Sequence, residues 1–270
     1  MLIDTHTHVY PEKIAAKAAE NLGNFYEFTV QESGTLQTLM DCCAAAGIGG
    51  FVLLSVVTNP AHTDRVNETA AENVKIARAA GFAAYGFGGI HQDCEDVSAA
   101  LAKVKELGLC GVKIHPDIQG VNLDDERMYP IYAELEKLGL RLWLHMGDGR
   151  PQFNFSTPSR LAKVLERFPR LQTVGAHLGG YNEWDKAKDL LYRKFPNLWY
   201  DLSQCHQYMA PAEVRELIEA CGPDRVFFGS DYPAVSPKNS LAAFNRMGFD
   251  AETYEKIASE NLFAFLGMSQ

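Results

Sequence analysis

Short apolar runs alternate along the chain with stretches in which apolar residues recur at every third or fourth position. Runs of the first kind, rich in β-branched and aromatic residues, are typical of buried strands, and the second spacing is typical of amphipathic helices. The predicted strands cover residues 2–5, 51–57, 83–88, 111–114, 141–144, 171–176, 198–200 and 225–228. The pattern therefore predicts eight strands separated by helices.

Helical spacing is clearest in residues 157–168, which open on Thr157 and Pro158, an N-cap residue followed by a first-turn proline. Several predicted helices end at a glycine before the next strand, as a C-terminal stop requires. The predicted helices cover residues 36–46, 66–77, 97–107, 131–138, 157–168, 183–193, 211–220, 241–247 and 251–266.

Eight strands alternating with helices in 270 residues predict an α/β fold, a (β/α)8 or TIM barrel, because such barrels typically contain about 250 residues. The rival is a doubly wound open sheet, which usually carries a glycine-rich phosphate loop after its first strand. The chain has no such loop, and no linker or low-complexity tract divides it. Residues 1–270 are therefore predicted to form a single domain.

Composition narrows the class of partner. The formal net charge is −9 and the basic residues are not clustered, which argues against nucleic acid and gives no support to binding at anionic membranes. The six cysteines form no Cys-X-X-Cys pair, and such scattered thiols are typical of a reducing compartment. With no signal-peptide pattern or long apolar run, we expect a cytoplasmic protein that acts on a small molecule.

Most histidines of the chain lie at the C-terminal ends of the predicted strands, where (β/α)8 barrels have their active sites. Because residues i and i+2 of a strand point the same way, His6 and His8 form a chelating pair. Asp231 ends the eighth strand, although Ser-Asp-Tyr-Pro is also turn chemistry. Seven of the eight histidines lie at or just beyond predicted strand ends: His6, His8, His91, His115, His145, His177 and His206.

Such a set of imidazoles and one carboxylate suits Zn²⁺, which lowers the pKa of bound water to about 7. Other roles stay open for some residues. His91 and His206 could hold loops, and His62 is expected at the surface or at a helix cap. Lys113 could simply pair with a carboxylate.

In its histidine and aspartate motifs the chain resembles the amidohydrolase superfamily, and within it the aminocarboxymuconate-semialdehyde decarboxylase-like group. The motifs that carry the resemblance are Asp-Thr-His-Thr-His at 4–8, Gly-Val-Lys-Ile-His-Pro at 111–116, Trp-Leu-His at 143–145, Gly-Ala-His-Leu-Gly-Gly at 175–180 and Phe-Gly-Ser-Asp-Tyr-Pro at 228–233.

The resemblance implies one divalent metal ion, with zinc the expected ion, held by His6, His8, His145 and Asp231. It also implies that His177 is catalytic and could ligate a second metal. Asp231 would be the general base on water and would then pass the proton to the leaving group. Some members carry a carboxylated lysine on strand 4, so Lys113 and His115 are predicted to bind substrate or to complete a two-metal site.

Three functions remain open. The first expectation is a hydrolase in which metal-activated water attacks the carbonyl of a small amide, lactone or ester. It is favoured because known decarboxylases of the group are longer. The second is a non-oxidative decarboxylase of an unsaturated or aromatic acid, whose carboxylate Arg150 could grip. The third is a non-catalytic metal-binding barrel. A homodimer is left open.

Overall fold

The computed structural model describes residues 1–268. Eight strands form one sheet in chain order, and each pairs in parallel with the next. The strands β1 to β8 are Ile3–Thr7, Gly50–Leu54, Ala83–Gly89, Gly111–Ile114, Arg141–Leu144, Thr173–Gly175, Leu198–Asp201 and Val226–Phe227. The predicted (β/α)8 barrel is confirmed, although β2 ends at Leu54 rather than at residue 57.

The barrel closes between β1 and the segment that follows β8. The backbone N–H of Thr5 donates to the carbonyl of Phe228 at 3.0 Å, and Thr7 bridges to Tyr232 in parallel. The N–H of Asp231 donates to the carbonyl of His6 at 2.9 Å. Closure therefore places the first and last predicted site residues side by side, although they are far apart in sequence.

Helices surround the sheet. The helices α1 to α12 are Glu12–Tyr26, Leu36–Ala46, Thr63–Ala79, Val97–Glu106, Pro116–Gln119, Tyr129–Leu138, Pro158–Arg167, Trp184–Leu190, Pro211–Cys221, Pro237–Arg246, Ala251–Glu255 and Asn261–Leu266. A π-helical turn, Lys256–Glu260, interrupts the predicted helix at 251–266. Short 3-10 turns lie at Pro60–His62, Glu126–Met128, His177–Gly179, Cys205–Gln207 and Pro223–Arg225.

Helix α1 was not predicted from the sequence. Ile14, Ala18, Leu22 and Phe25 recur at helical spacing on one face of α1, but Ala15 is its one fully buried side chain, because this face does not pack into the barrel core. The helix instead lies over the mouth of the barrel, where its side chains help to enclose a cavity. Within residues 1–268, none of the helices combines the length and apolar character that a transmembrane span requires.

The side chains inside the barrel change from apolar to polar along its axis. On β5, Leu142 and Leu144 pack outward against the helices, while Trp143 points inward with Phe227 and Phe265. Phe265 belongs to α12, which closes the end of the barrel away from the site. At the other end, polar residues replace this core, and the carboxyl ends of the strands form the candidate site.

Candidate metal centre and cavity

Three predicted ligands come together at the closure of the barrel. Nε2 of His6 lies 3.1 Å from Nε2 of His8. Oδ1 of Asp231 lies 3.3 Å from Nε2 of His6 and 3.4 Å from Nε2 of His8. The chelating pair predicted on β1 therefore faces the carboxylate predicted after β8.

The hydrogen bonds of these two histidines assign their tautomers. Nδ1 of His6 lies 2.9 Å from a carboxylate oxygen of Asp201, and Nδ1 of His8 lies 2.7 Å from the carbonyl of Leu54. A carbonyl and an ionised carboxylate only accept, so both Nδ1 atoms carry the proton and both Nε2 atoms present lone pairs. Burial, followed by the charge of Lys113, lowers the pKa of His6 to about 4, which keeps this ring neutral at pH 7.

The lone pairs on Nε2 of His6 and His8 face each other and Oδ1 of Asp231. These atoms repel one another unless a cation lies between them. The donor set fits a divalent ion. Ligand atoms about 2.1 Å from a tetrahedral ion lie about 3.4 Å apart, close to the separations of 3.1 to 3.4 Å among these three atoms.

Two more imidazole nitrogens with free lone pairs lie beside the group formed by His6, His8 and Asp231. Nδ1 of His177 is 3.0 Å from the carbonyl of Ser203, and Nε2 of His145 is 2.9 Å from the carbonyl of Gly147. The opposite nitrogens, Nε2 of His177 and Nδ1 of His145, therefore face each other without a proton at 3.1 Å. The structure thus places His145 against His177, next to the group formed by His6, His8 and Asp231.

The carboxylate that organises this centre, Asp201, was not predicted from the sequence. Asp201 is fully buried at the end of β7. Its Oδ2 accepts from the indole N–H of Trp143 at 2.9 Å as well as from His6, and its Oδ1 accepts from the backbone N–H of His177 at 3.2 Å. Burial opposes its ionisation, but His6, by charge and hydrogen bond, and His177 hold its pKa well below the usual range. An aspartate directly after the apolar run 198–200 was the available signal.

Lys113, near the end of β4, and His115, directly after it, contact different parts of the centre. Nζ of Lys113 is fully buried and lies 3.3 Å from Nε2 of His6, and burial lowers its pKa to about 8. The ring of His115 stacks on His145 with centroids 3.9 Å apart. Both side chains point into the centre, as their shared side of one strand predicts.

Tyr26, at the end of α1, was also missed. Its hydroxyl oxygen lies 2.7 Å from Nε2 of His115 and 3.2 Å from Nε2 of His145. Nδ1 of His115 accepts from the N–H of Ile118 at 3.3 Å, so Nε2 of His115 carries the proton and donates to Tyr26. The hydroxyl of Tyr26 thus accepts from the imidazoles and keeps its own hydrogen for another acceptor.

Backbone strain accompanies the site. His177, Gln204 and Asp231 have φ values of 57°, 60° and 70°, a left-handed region that costs a non-glycine residue about 1 kcal/mol or more. The side-chain amide of Gln204 donates to Oδ2 of Asp231 at 2.6 Å, which fixes the other carboxylate oxygen toward His6 and His8. Gly229 leaves room for this packing, since a Cβ there would lie 3.0 Å from Cβ of His6.

Other sequence candidates lie outside the centre. Arg150 forms a two-point contact with Asp148, at 2.6 and 2.8 Å, and donates to the carbonyl of Phe25 at 2.5 Å. It therefore ties a loop to α1, and it is not among the residues that line the cavity. Nδ1 of His91 accepts from the N–H of Asp93 at 3.2 Å within its own loop, a loop-holding contact.

A cavity of about 740 Å³ opens above the ligand atoms. His6, His8, His115, His145 and Asp231 line its floor. Its walls are largely aromatic and aliphatic, and they include Leu22, Phe25, Tyr26, Phe28, Leu54 and Tyr181. The arrangement can hold a flat apolar molecule with one polar end at the metal centre.

The chain belongs to the amidohydrolase family, whose model matches residues 3–267. It is 27% identical to a 2-amino-3-carboxymuconate-6-semialdehyde decarboxylase from Dictyostelium discoideum over 224 residues, which is 68% of this chain and 61% of the relative. The chain therefore spans less than two thirds of that relative's length.

Solved structures share the fold. A 5-carboxyvanillate decarboxylase from Novosphingobium aromaticivorans, in complex with manganese and 4-hydroxy-3-methoxy-5-nitrobenzoic acid, is 18% identical with a TM-score of 0.73. That match covers 99% of this chain and 96% of the other. A protein from Pseudomonas putida assigned as a 2-pyrone-4,6-dicarboxylic acid hydrolase is 19% identical with a TM-score of 0.72, over 100% of this chain and 98% of the other.

Proposed function

We propose that this protein is a divalent-metal-dependent, non-oxidative decarboxylase of a small unsaturated or aromatic carboxylic acid. The observation that carries the proposal is the cavity of about 740 Å³, whose aromatic and aliphatic walls stand directly above the convergent lone pairs. The decarboxylase relative supports the same choice. The expectation of hydrolysis rested on chain length, but the match covers 96% of the N. aromaticivorans decarboxylase chain and 98% of the P. putida chain, so length favours neither activity.

His6, His8 and Asp231 would hold the ion, with His145 and His177 beside it. A divalent ion bound there supplies a Lewis acid that polarises a substrate oxygen. We propose zinc first, because imidazole nitrogens dominate the donor set, with manganese as the alternative that the N. aromaticivorans structure motivates.

In the net reaction, the bond between the carboxyl carbon and the rest of the substrate breaks, CO2 leaves, and a proton replaces it. Among the described residues that line the cavity, Asp231 is the only carboxylate. Burial opposes its ionisation, but His6 and His8 hold its pKa well below the usual range, so it is ionised at rest. Asp231 would therefore take a proton from the substrate or from water at Oδ1 and return it to the carbon that loses CO2.

His177 and Tyr26 would act on the substrate around this step. His177 is neutral because burial lowers its pKa, and its unprotonated Nε2 can accept a hydrogen bond. Tyr26 would donate its hydroxyl hydrogen to a substrate oxygen, since imidazoles already occupy its acceptor side. Lys113 and His115, the predicted substrate-binding pair, would position the polar end of the substrate.

Hydrolysis of a small amide, lactone or ester is the second candidate. The observation that favours it is the ionised Oδ1 of Asp231, 3.3 Å from Nε2 of His6. A carboxylate there can accept the proton of an attacking water and deliver it to the leaving group.

Detection of CO2 tests the proposal. The metal-loaded protein is incubated with a panel of aromatic and unsaturated carboxylic acids, and in parallel with lactones, esters and amides. We expect CO2 release that requires the metal, and Asp231→Asn should retain metal but lose turnover. Asp224→Asn, at an exposed carboxylate, is the matched control. Hydrolysis of a neutral ester, lactone or amide, with every carboxylic acid left intact, would overturn decarboxylation.

We further propose that the enzyme works in the reducing cytoplasm, a setting supported by its six free cysteines. Three of them, Cys43, Cys205 and Cys221, are buried, and burial raises the pKa of each thiol. Such thiols serve as core residues rather than reactive groups.

A further inference from the structure

A closed series of contacts joins His145 to Tyr26 through the loop that follows β5. Within this loop, Nε2 of His145 donates to the carbonyl of Gly147 at 2.9 Å. Further along the same loop, Arg150 donates to the carbonyl of Phe25 at 2.5 Å. The next residue of the chain, Tyr26, places its hydroxyl oxygen 3.2 Å from Nε2 of His145. The series therefore begins and ends on one imidazole.

The loop side of this series is held firmly. The carboxylate of Asp148 is fully buried, and it accepts from Nε and Nη2 of Arg150 at 2.6 and 2.8 Å. A two-point contact of this kind fixes the plane of a guanidinium. The loop also packs closely on its neighbour, since a Cβ at Gly147 would lie 2.5 Å from the carbonyl oxygen of Tyr181. Arg150 therefore presents its remaining donor, Nη1, in a fixed direction.

The helix side depends on this donor. Ala15 is the one fully buried side chain of α1, and the last carbonyls of a helix have no partner within the helix. Nη1 of Arg150 satisfies one of these carbonyls, that of Phe25. The guanidinium carbon also lies 5.0 Å from the ring centroid of Phe25 and 4.2 Å from that of Phe153, within the range of cation–π attraction. The guanidinium therefore places the last turn of α1.

We infer that Arg150 is a positioning residue, which holds the hydroxyl of Tyr26 at the reacting end of the substrate. The inference rests on the proposed function, in which Tyr26 donates to a substrate oxygen. Arg150 acts through the carbonyl of Phe25 and does not bind the substrate, in contrast to the role predicted from the sequence. A donor acts on a transition state only when it is held within about 0.5 Å of the productive geometry. Arg150 supplies that restraint from the loop that carries His145.

A double-mutant cycle on the metal-loaded, full-length protein tests the inference, with whichever acid, ester, lactone or amide the wild type turns over. Arg150→Met should lower kcat about tenfold or more, because small misplacements of a reacting group are costly. The KM should change little, since the substrate keeps its own contacts. Combined with Tyr26→Phe, the same substitution should lower kcat no further, because the hydroxyl that Arg150 positions is already gone.

Hydrogen exchange followed by mass spectrometry reports on α1 without turnover. Arg150→Met should raise the exchange rate in residues 22–26 about tenfold or more, as loss of a charged hydrogen-bond donor implies. Exchange in β5 should stay as in the wild type. Because Arg150→Met leaves the buried carboxylate of Asp148 without this cation, the combination of Asp148→Asn with Arg150→Met is measured beside it. Both variants should show the same increase in residues 22–26.

Arg160→Met is the matched control. The side chains of Arg160 and Arg150 are equally accessible, at 25% and 26%. Arg160 likewise joins an aspartate, Asp124, to a backbone carbonyl, that of Asn154. Neither of these partners belongs to α1. Arg160→Met should therefore keep the wild-type kcat and the wild-type exchange in residues 22–26.

Equal exchange in residues 22–26 of Arg150→Met and wild type would overturn the inference. So would a loss of kcat of the same size with and without Tyr26→Phe, or a rise in KM alone, which would mean that Arg150 grips the substrate. Failure of the proposed function gives a different result. If an ester is hydrolysed, no acid releases CO2, and the effect of Arg150→Met vanishes beside Tyr26→Phe, the positioning role stands and decarboxylation falls. If acids release CO2 while the two losses add, the reverse holds.

Discussion

Oδ2 of Asp201 lies 2.9 Å from Nδ1 of His6, and both side chains are buried. The contact fixes the tautomer of His6 and directs its Nε2 toward His8 and Asp231. A carboxylate behind a histidine ligand also makes that histidine a better donor to a metal. The geometry of the proposed centre therefore depends on a residue that is not one of its proposed ligands.

Asp201→Asn should weaken metal binding. The amide would still fill the space, but it would lack the negative charge that orients the proton on His6. Loss of such an outer partner typically lowers metal affinity about 10- to 100-fold. Competition with a chromophoric chelator measures the change, with Asp224→Asn at the surface as control. Equal metal affinity in Asp201→Asn and wild type would show that this carboxylate has no orienting role.

Trp143→Phe should reduce both stability and metal affinity, because the indole N–H donates to the same oxygen of Asp201 at 2.9 Å. Leaving a buried carboxylate with one fewer donor costs about 1 to 3 kcal/mol of unfolding free energy. Urea unfolding and chelator competition measure the two effects. Trp199→Phe is the matched control, since its indole donates to Gln172, and it should lower stability with metal affinity unchanged. Equal metal affinities in the two variants would contradict the prediction.

The barrel could be predicted because strands and helices have different periods, and a parallel barrel repeats the alternation of the two. The eight strands were recognised, and their errors lie at the ends, as at β2. Helix α1 was not predicted, although Ile14, Ala18, Leu22 and Phe25 are spaced as in an amphipathic helix and were the available signal. Its apolar face lines a cavity instead of packing into the core, so Ala15 alone is fully buried.

The site could be predicted where its residues end strands. His6, His8 and Asp231 could be predicted to lie together because strand ends meet at one face of a barrel, and the structure brings the Nε2 atoms of the two histidines and Oδ1 of Asp231 within 3.4 Å of one another. Asp201 follows the same rule and could have been found. Tyr26 could not, because its place depends on how α1 folds back over the mouth, which no local pattern specifies.

The metal-free protein should lose stability between pH 6.5 and about 4. Burial lowers the pKa of His6 from 6.5 to about 4 in the folded chain. In this window the unfolded chain therefore binds more protons, so the unfolding free energy falls as pH falls. The lowered pKa of His6 alone corresponds to about 3 kcal/mol between the two limits, and His115, His145 and His177, whose pKa values burial also lowers, act in the same direction. Burial raises the pKa of Asp4 to about 7 and that of Asp117 to about 6, which opposes the trend, but the four histidines outnumber these two carboxyls.

Urea unfolding in the presence of a chelator at pH 7, 6 and 5 measures this dependence. His6→Gln should flatten it, because one of the groups that takes up a proton on unfolding is gone. His62→Asn replaces an exposed histidine and should leave the profile as in the wild type. The same pH dependence in His6→Gln and wild type would show that His6 is not buried as a neutral group.

Tyr26→Phe should lower kcat while the fold and the bound ion are retained. The hydroxyl of Tyr26 accepts hydrogen bonds from His115 and His145 and has its own hydrogen left for a substrate oxygen. Removal of one preorganised donor to a reacting oxygen typically costs about 100-fold in kcat, whereas the ion should be retained because Tyr26 is not one of its proposed ligands. Steady-state kinetics and metal analysis on the same preparation measure the two quantities.

Tyr132→Phe is the control, since that buried hydroxyl donates to the carbonyl of Leu123 far from the cavity floor. It should cost about 1 kcal/mol of stability and leave kcat unchanged. If Tyr26→Phe and Tyr132→Phe had the same kcat, the hydroxyl at the mouth would serve packing alone.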